Sequence, residues 1–200
     1  MDHSPQDRQT RILDAAQRAF SRAGMHQATM ADVAREAGMT AGNLYRYYDN
    51  KDALIAAIAE RDRHELVQDF ITLNAAAPSL DNFEALGRKH LLDEPAWRMA
   101  MTVELWAESA RNPTVRAICA GFETTLYKNM TDFIDRARAA GVVAPGIVTH
   151  VAVIQILMLA DGMIRLRAGA PERDASALAD IFFSTIRTLL TTQPATGQPT

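Results

Sequence analysis

Residues 29–51 read TMADVAREAGMTAGNLYRYYDNK, and this stretch decides how the rest of the chain is understood. Thr29 followed three residues later by Asp32 has the spacing of a capping box, in which each side chain satisfies a backbone N–H at a helix start. Met30, Val33, Ala34 and Ala37 then fall on one helical face, and Gly38 is suited to end the helix after about two turns. Thr40 caps a second short helix. Winding that helix at ~100° per residue puts Ala41, Leu44 and Tyr48 together, with Gly42, Asn43 and Arg46 on the opposite side and Tyr45 and Tyr47 flanking them. Asn50 caps a third helix and places Lys51 at its first position, where a cation opposes the helix dipole. An anionic phosphate at that helix end is the expected compensation. Two short helices joined by a tight turn and followed at once by another helix have the layout of a helix-turn-helix, so residues 1–50 are expected to form a three-helix head.

The flanking sequence is also helical in pattern. Ser4-Pro5-Gln6-Asp7 marks a helix start, and Ile12, Ala16, Ala19, Phe20 and Ala23 share a face before Gly24. From Lys51 an apolar series through Leu54, Ile55, Ile58, Leu66, Val67, Phe70 and Ile71 predicts a helix of some 24 residues, roughly 36 Å long. Further helices are expected from about Asp81 to Leu92, from Pro95 with Met99, Val103, Trp106 and Ala110 on one side, and from Pro113 to Gly141. Another should run from Pro145 through Arg167, apolar nearly all round between Ile147 and Leu159, and a last one from about Asp174 to Leu190. No strand-like alternation, glycine-rich phosphate loop or repeat interrupts this series. The fold class is therefore all-α with about nine helices: the head, a long connecting helix, a helical body over residues 51–192, and a disordered tail over 193–200.

Composition narrows the function. At 48% apolar and 22% charged residues the chain has an ordinary globular balance. No apolar run is long enough to span a bilayer, and the polar N-terminus lacks a signal-peptide core, which points to the cytoplasm and away from membranes. One cysteine, Cys119, excludes an internal disulfide and a cysteine-based metal cluster. His64, His90 and His150 share no metal-ligand spacing with it or with the acids, and no nucleophile-elbow or Ser/His/Asp pattern is present, so neither a metal, a cofactor nor catalysis is expected. The net charge is -3, and residues 1–63 carry nine basic and nine acidic side chains. A neutral head binds nucleic acid only through a locally placed set of donors and not through a broad basic field.

With these residues in view, the head resembles the tetracycline-repressor (TetR) family of bacterial transcription regulators. The similarity rests on Thr29, Val33-Ala34, Ala37-Gly38, Thr40, Leu44-Tyr45, Tyr47-Tyr48, Lys51 and Leu54, and covers roughly residues 8–58. Glu104-Leu105-Trp106-Ala107 and Arg111-Asn112-Pro113 look like a sub-group of the same family. The resemblance implies a homodimer joined through the last two helices, a double-stranded DNA operator of palindromic form, and release of a repressor by a small-molecule effector, expected to be hydrophobic.

On that model Thr40, Ala41, Gly42, Asn43, Tyr45, Arg46 and Tyr47 meet the major groove. Arg46 and Asn43 have base-edge chemistry, since arginine forks to guanine and asparagine to adenine. Thr29, Tyr45, Tyr47 and Lys51 suit phosphates, which set position and not sequence. Trp97, Met101, Glu104, Trp106, Phe122, Tyr127, Met130 and Met158 are the candidate pocket residues, with Glu104 either solvated or paired with a ligand cation. The alternative reading is an all-helical small-molecule-binding protein, or an enzyme on the same scaffold, that does not bind DNA.

Overall fold

The computed structural model describes residues 5–170 and 172–192. The expected Ser4 cap and the tail over 193–200 lie outside them. Among the described residues every regular element is helical: α1 Pro5–Ala23, α2 Met30–Glu36, α3 Ala41–Leu44, α4 Lys51–Ala75, α5 Leu80–Arg88, α6 Ala96–Ser109, α7 Pro113–Ala139, α8 Thr149–Gly169 and α9 Ala175–Thr191. The all-α reading with nine helices therefore holds.

Two boundaries differ from the sequence reading. The helix expected over Asp81–Leu92 closes as α-helix at Arg88 and continues as a π-helical turn over Lys89–Asp93. The helix expected to open at Pro145 begins instead at Thr149. The reason is a competing tie: the Ala144 N–H donates to the Leu190 carbonyl at 2.9 Å, and the Ile147 N–H donates back to Ala144. Residues 144–148 are thereby committed to a turn against the end of α9.

The helices gather into two compact units, neither contiguous in sequence: residues 1–65 with 96–123, and residues 66–95 with 124–200. In the first unit α1 contributes Ile12, Leu13, Ala16, Ala19 and Phe20 to a core shared with Met30, Val33 and Ala34 of α2, Leu44 of α3, and Leu54, Ile55 and Ile58 of α4. Met101 of α6 and Val115 and Cys119 of α7 complete it, with Leu105, Trp106 and Ile118 packed alongside. α6 thus packs on α1 and belongs to the same body as the helix-turn-helix. Met101, a pocket candidate in the sequence, is buried along with Met99 of the same helix and packs into this core.

In the second unit Met130, Phe133, Ile134 and Ala137 of α7 are buried, and Phe133 stacks on Phe83 of α5 with centroids 4.7 Å apart. α9 buries Ala179, Phe182, Phe183, Ile186 and Leu190, while Ala177 and Ile181 are exposed. The guanidinium of Arg88 lies 4.9 Å from the centre of the Phe183 ring and also pairs with Asp180 at 2.9 Å. α8 buries Ala152, Val153, Ile156 and Met163, while Val151, Ile154 and Met158 remain exposed.

Local capping is as the sequence requires. The Thr29 hydroxyl accepts the Asp32 N–H at 3.2 Å, and the Asp32 carboxylate accepts the Thr29 N–H at 3.0 Å, closing the capping box. The Thr29 hydroxyl and N–H, together with the Arg35 guanidinium, hold the Asp32 carboxyl down from 3.8 to about 2. A carboxyl depressed in the folded state contributes stability that is present above its unfolded value and lost as pH falls through the folded one. The melting-temperature gap between the wild type and Asp32→Asn is therefore expected to be constant above about pH 4 and to close toward pH 2. Thermal melts followed by circular dichroism across that range check this, and a gap independent of pH would contradict it.

Candidate nucleic-acid interface

The reading helix α3 is only four residues long, so its position is set by what surrounds it. α2 ends with its cap carbonyls satisfied by the Gly38 N–H to Arg35 at 3.2 Å and the Met39 N–H to Ala34 at 2.9 Å. Gly38 has φ +68°, in the left-handed region where a side chain is disfavoured, and this swings the chain into the turn. Thr40 then caps α3, its hydroxyl accepting the Asn43 N–H at 3.2 Å. Leu44 is fully buried, and Ala41, Tyr47 and Tyr48 pack partly against the same core. Burying one leucine side chain stabilises by about 1.5–3 kcal/mol, so Leu44 is the main anchor of α3.

Anchoring that side leaves the other outward. Gly42 and Arg46 are exposed, Asn43 is half-buried, and Tyr45 is 49% exposed. A Cβ added at Gly42 would meet nothing within 4 Å, so nothing in the chain itself demands glycine there. The helical turns continue past α3, with the Tyr45 N–H on the Ala41 carbonyl and the Tyr48 N–H on the Leu44 carbonyl, which fixes where Arg46 points. Burial thus separates Leu44 from the exposed Gly42, Tyr45 and Arg46, with Ala41, Asn43, Tyr47 and Tyr48 between them.

Two basic residues make contacts that the local sequence pattern does not signal. Arg8 of α1 donates to the Tyr47 hydroxyl at 3.4 Å, which brings a cation from outside the quoted stretch to the edge of the reading face. No local pattern in α1 signals this. Lys51 was expected to be compensated by a phosphate, but its ammonium group donates to the backbone carbonyls of Met25 at 2.8 Å, His26 at 3.1 Å and Ala28 at 3.5 Å. The charge at the start of α4 is thus satisfied inside the protein. The cap of α4 is Asn50, whose side-chain oxygen accepts the Ala53 N–H at 2.8 Å.

The neutral charge of the head also resolves into local pairs. Glu36 accepts from Arg18 at 2.9 Å and from Arg22 at 2.7 Å, tying α2 to α1; these two hydrogen bonds, that from Arg22 first, hold its carboxyl below the usual range. Asp14 pairs with Arg61 at 2.8 Å and Asp62 with Arg98 at 2.9 Å. Most of the head's acids are spent on such pairs, away from the outward side of α3.

The eight candidate pocket residues divide between the two units. Trp97, Met101, Glu104, Trp106 and Phe122 belong to the first; Tyr127, Met130 and Met158 belong to the second. Met101 and Trp106 pack against the head core. Glu104 is half-buried, and its carboxylate accepts the N–H of Met25, in the turn before α2. Met158 is 68% exposed on α8, where a cavity wall would be covered. Trp97, Phe122 and Tyr127 are half-buried and Met130 is buried. Among the described residues no group of three His, Cys, Asp or Glu side chains is placed to hold a metal ion, and no helix is long and apolar enough to cross a membrane.

Residues 12–58, which span the core of the head and the reading face, match the bacterial regulatory proteins of the tetR family. The chain is 29% identical over 164 residues to the HTH-type transcriptional regulator UidR of Escherichia coli, covering 82% of this chain and 83% of that one. It is 25% identical over 183 residues to the HTH-type transcriptional repressor Rv1474c of Mycobacterium tuberculosis, covering 90% and 93%. Its fold is shared with the transcriptional regulator FadR from Bacillus subtilis, solved in complex with stearoyl-CoA: TM-score 0.78 at 18% identity, covering 90% of this chain and 98% of that one. Together with the α2–α3 geometry, these likenesses identify residues 12–58 as a helix-turn-helix segment of the tetR-family type, in a chain similar over most of its length to HTH-type transcriptional regulators.

Proposed function

We propose that the protein is a cytoplasmic, homodimeric repressor that holds a palindromic operator and releases it when a small hydrophobic effector binds. The observation that carries this reading is the outward face of α3, where Arg46 and Asn43 are presented by a helix pinned through Leu44. Arg46 takes the guanine-reading role, with two parallel donors for O6 and N7, and Asn43 takes the adenine-reading role. Gly42 and Ala41 permit close approach, and Thr29, Thr40, Tyr45 and Tyr47 sit where hydroxyl groups position the phosphate backbone. Lys51 contributes indirectly, by holding the turn before α2.

A dimer is supported by an uncovered apolar face in the second unit. Val148, Val151, Ile154 and Met158 follow one another at helical spacing on or just before α8 and are 43–68% exposed, and Ile181 of α9 is 65% exposed. A face of this kind is self-complementary about a two-fold axis, and two heads related by such an axis read half-sites about 34–36 Å apart. The hydrophobic class of effector is supported by the stearoyl-CoA bound to FadR of the same fold. Release of DNA requires that the effector bind the two states of the protein with different affinity.

Arg46→Ala is expected to cost ~1–3 kcal/mol on the operator while leaving variants substituted at its contacted base pair nearly unchanged. Gel shifts against the protein's own upstream region and single-base variants of it provide the measurement. Equal loss on every variant would remove the base-reading role, and no discrete, salt-sensitive complex from the wild type would remove the regulator reading altogether. Ile154→Glu places a charge in the exposed face of α8 and is expected to yield monomers by sedimentation with a folded head. A dimer that persists unchanged would place the interface elsewhere.

A further inference from the structure

We propose that Glu104 of α6 is a positioning residue for DNA reading: with Lys51 it clamps the turn Gly24–Ala28, from which α2 and then α3 are hung. The proposal rests on the regulator reading above and adds a residue and a mechanical element to it.

The turn is short and its backbone is satisfied from two other helices. Gly24 ends α1 with φ +80°, and the Ala28 N–H returns to the Gly24 carbonyl at 3.0 Å. Met25 and Ala28 insert their side chains into the core at 3% and 2% exposure. The ammonium group of Lys51, at the start of α4, gathers the carbonyls of Met25, His26 and Ala28, while the Glu104 carboxylate takes the Met25 N–H. Both carboxylate oxygens of Glu104 lie 3.7 Å from where a Cβ on Gly24 would stand. A cation on the acceptors and an anion on a donor hold one turn between them. The next residue, Thr29, is the cap of α2.

α6 has further holds on the same unit. Met101, Leu105 and Trp106, flanking Glu104, pack on the head core. One turn and a half earlier, Arg98 pairs with Asp62, and Arg61 beside it reaches Asp14 and the buried side-chain oxygen of Gln17 at 2.6 Å. α6 is thus fixed to α1 and α4 by side-chain contacts, and Glu104 is the point at which it reaches the backbone just ahead of the reading motif. A hydrogen bond with a charged partner is among the stronger ones available, and an N–H left without its acceptor in a part-buried site is costly. Any shift of α6 that draws Glu104 off Met25 loosens the support of α2 before it disturbs α3 itself.

The test uses the full-length protein with Glu104→Ala, Glu104→Gln and Glu104→Asp, read by operator affinity and by amide hydrogen exchange. Glu104→Ala is expected to speed exchange at Met25 and to weaken operator binding, each on the order of tenfold, while amides inside α2 stay protected. Glu104→Gln keeps an acceptor at the same reach and is expected to restore most of both. Glu104→Asp keeps the charge but falls one methylene short, and is expected to fold and to behave like Glu104→Ala, so the proposal does not depend on the alanine variant being stable. It is overturned if exchange at Met25 is unmoved in Glu104→Ala and Glu104→Asp, or if exchange rises while operator affinity stays at the wild-type value. A wild type that forms no operator complex fails the regulator reading and takes the proposal with it. A wild type that binds while Glu104→Asp binds equally fails the proposal alone.

Discussion

A four-residue helix cannot hold itself in water, since nucleation costs more than its few hydrogen bonds return. That constraint governs the head of this protein. α3 stands where it does because Leu44 is buried, Thr40 caps its first turn and Gly38 takes a left-handed turn ahead of it. α2 is little longer and depends on its own capping box and on Met30, Val33 and Ala34 in the core. The support continues backward through the turn at residues 24–28 to α1, α4 and α6. The packing around the least self-sufficient element defines which of its sides stays exposed.

Charge is used in the same economical way. A reader of nucleic acid with no net positive charge in its head gains little from a long-range field. Several of its cations are engaged within the protein: Arg18 and Arg22 on Glu36, Arg61 on Asp14, and Lys51 on three carbonyls, while Arg98 of α6 pairs with Asp62. These pairs set the relative placement of α1, α2, α4 and α6. Arg46, on the outward side of α3, and Arg8, beside Tyr47, are the cations at that surface.

What the sequence made legible was whatever is decided within a few residues. The Thr29–Asp32 capping box, the stop at Gly38, the Thr40 and Asn50 caps and the inward and outward sides of α3 all depend on spacing of three or four, and all are found. Contacts across the chain were not legible. Glu104 looked like a solvated helix position because its partner is a backbone N–H 79 residues away, and Lys51 looked uncompensated because its acceptors are carbonyls, which leave no mark in the sequence. The start of α8 was misplaced for the same reason, the Ala144 tie to Leu190 being long-range. Met158 was a pocket candidate because periodicity reports an apolar face without saying what covers it; its exposure separates it from the residues buried within one chain.

The central claim is that a neutral head reads DNA through a small, fixed set of groups presented twice by a symmetric dimer. Footprinting of the wild type on its own upstream region, repeated over a range of salt, tests it most directly. Two protected major-groove segments are expected, centred about 34–36 Å apart and related by an approximate palindrome, with protection that fades as salt rises but keeps its borders. Protection that spreads evenly along the DNA without regard to sequence, or none at any salt, would contradict it.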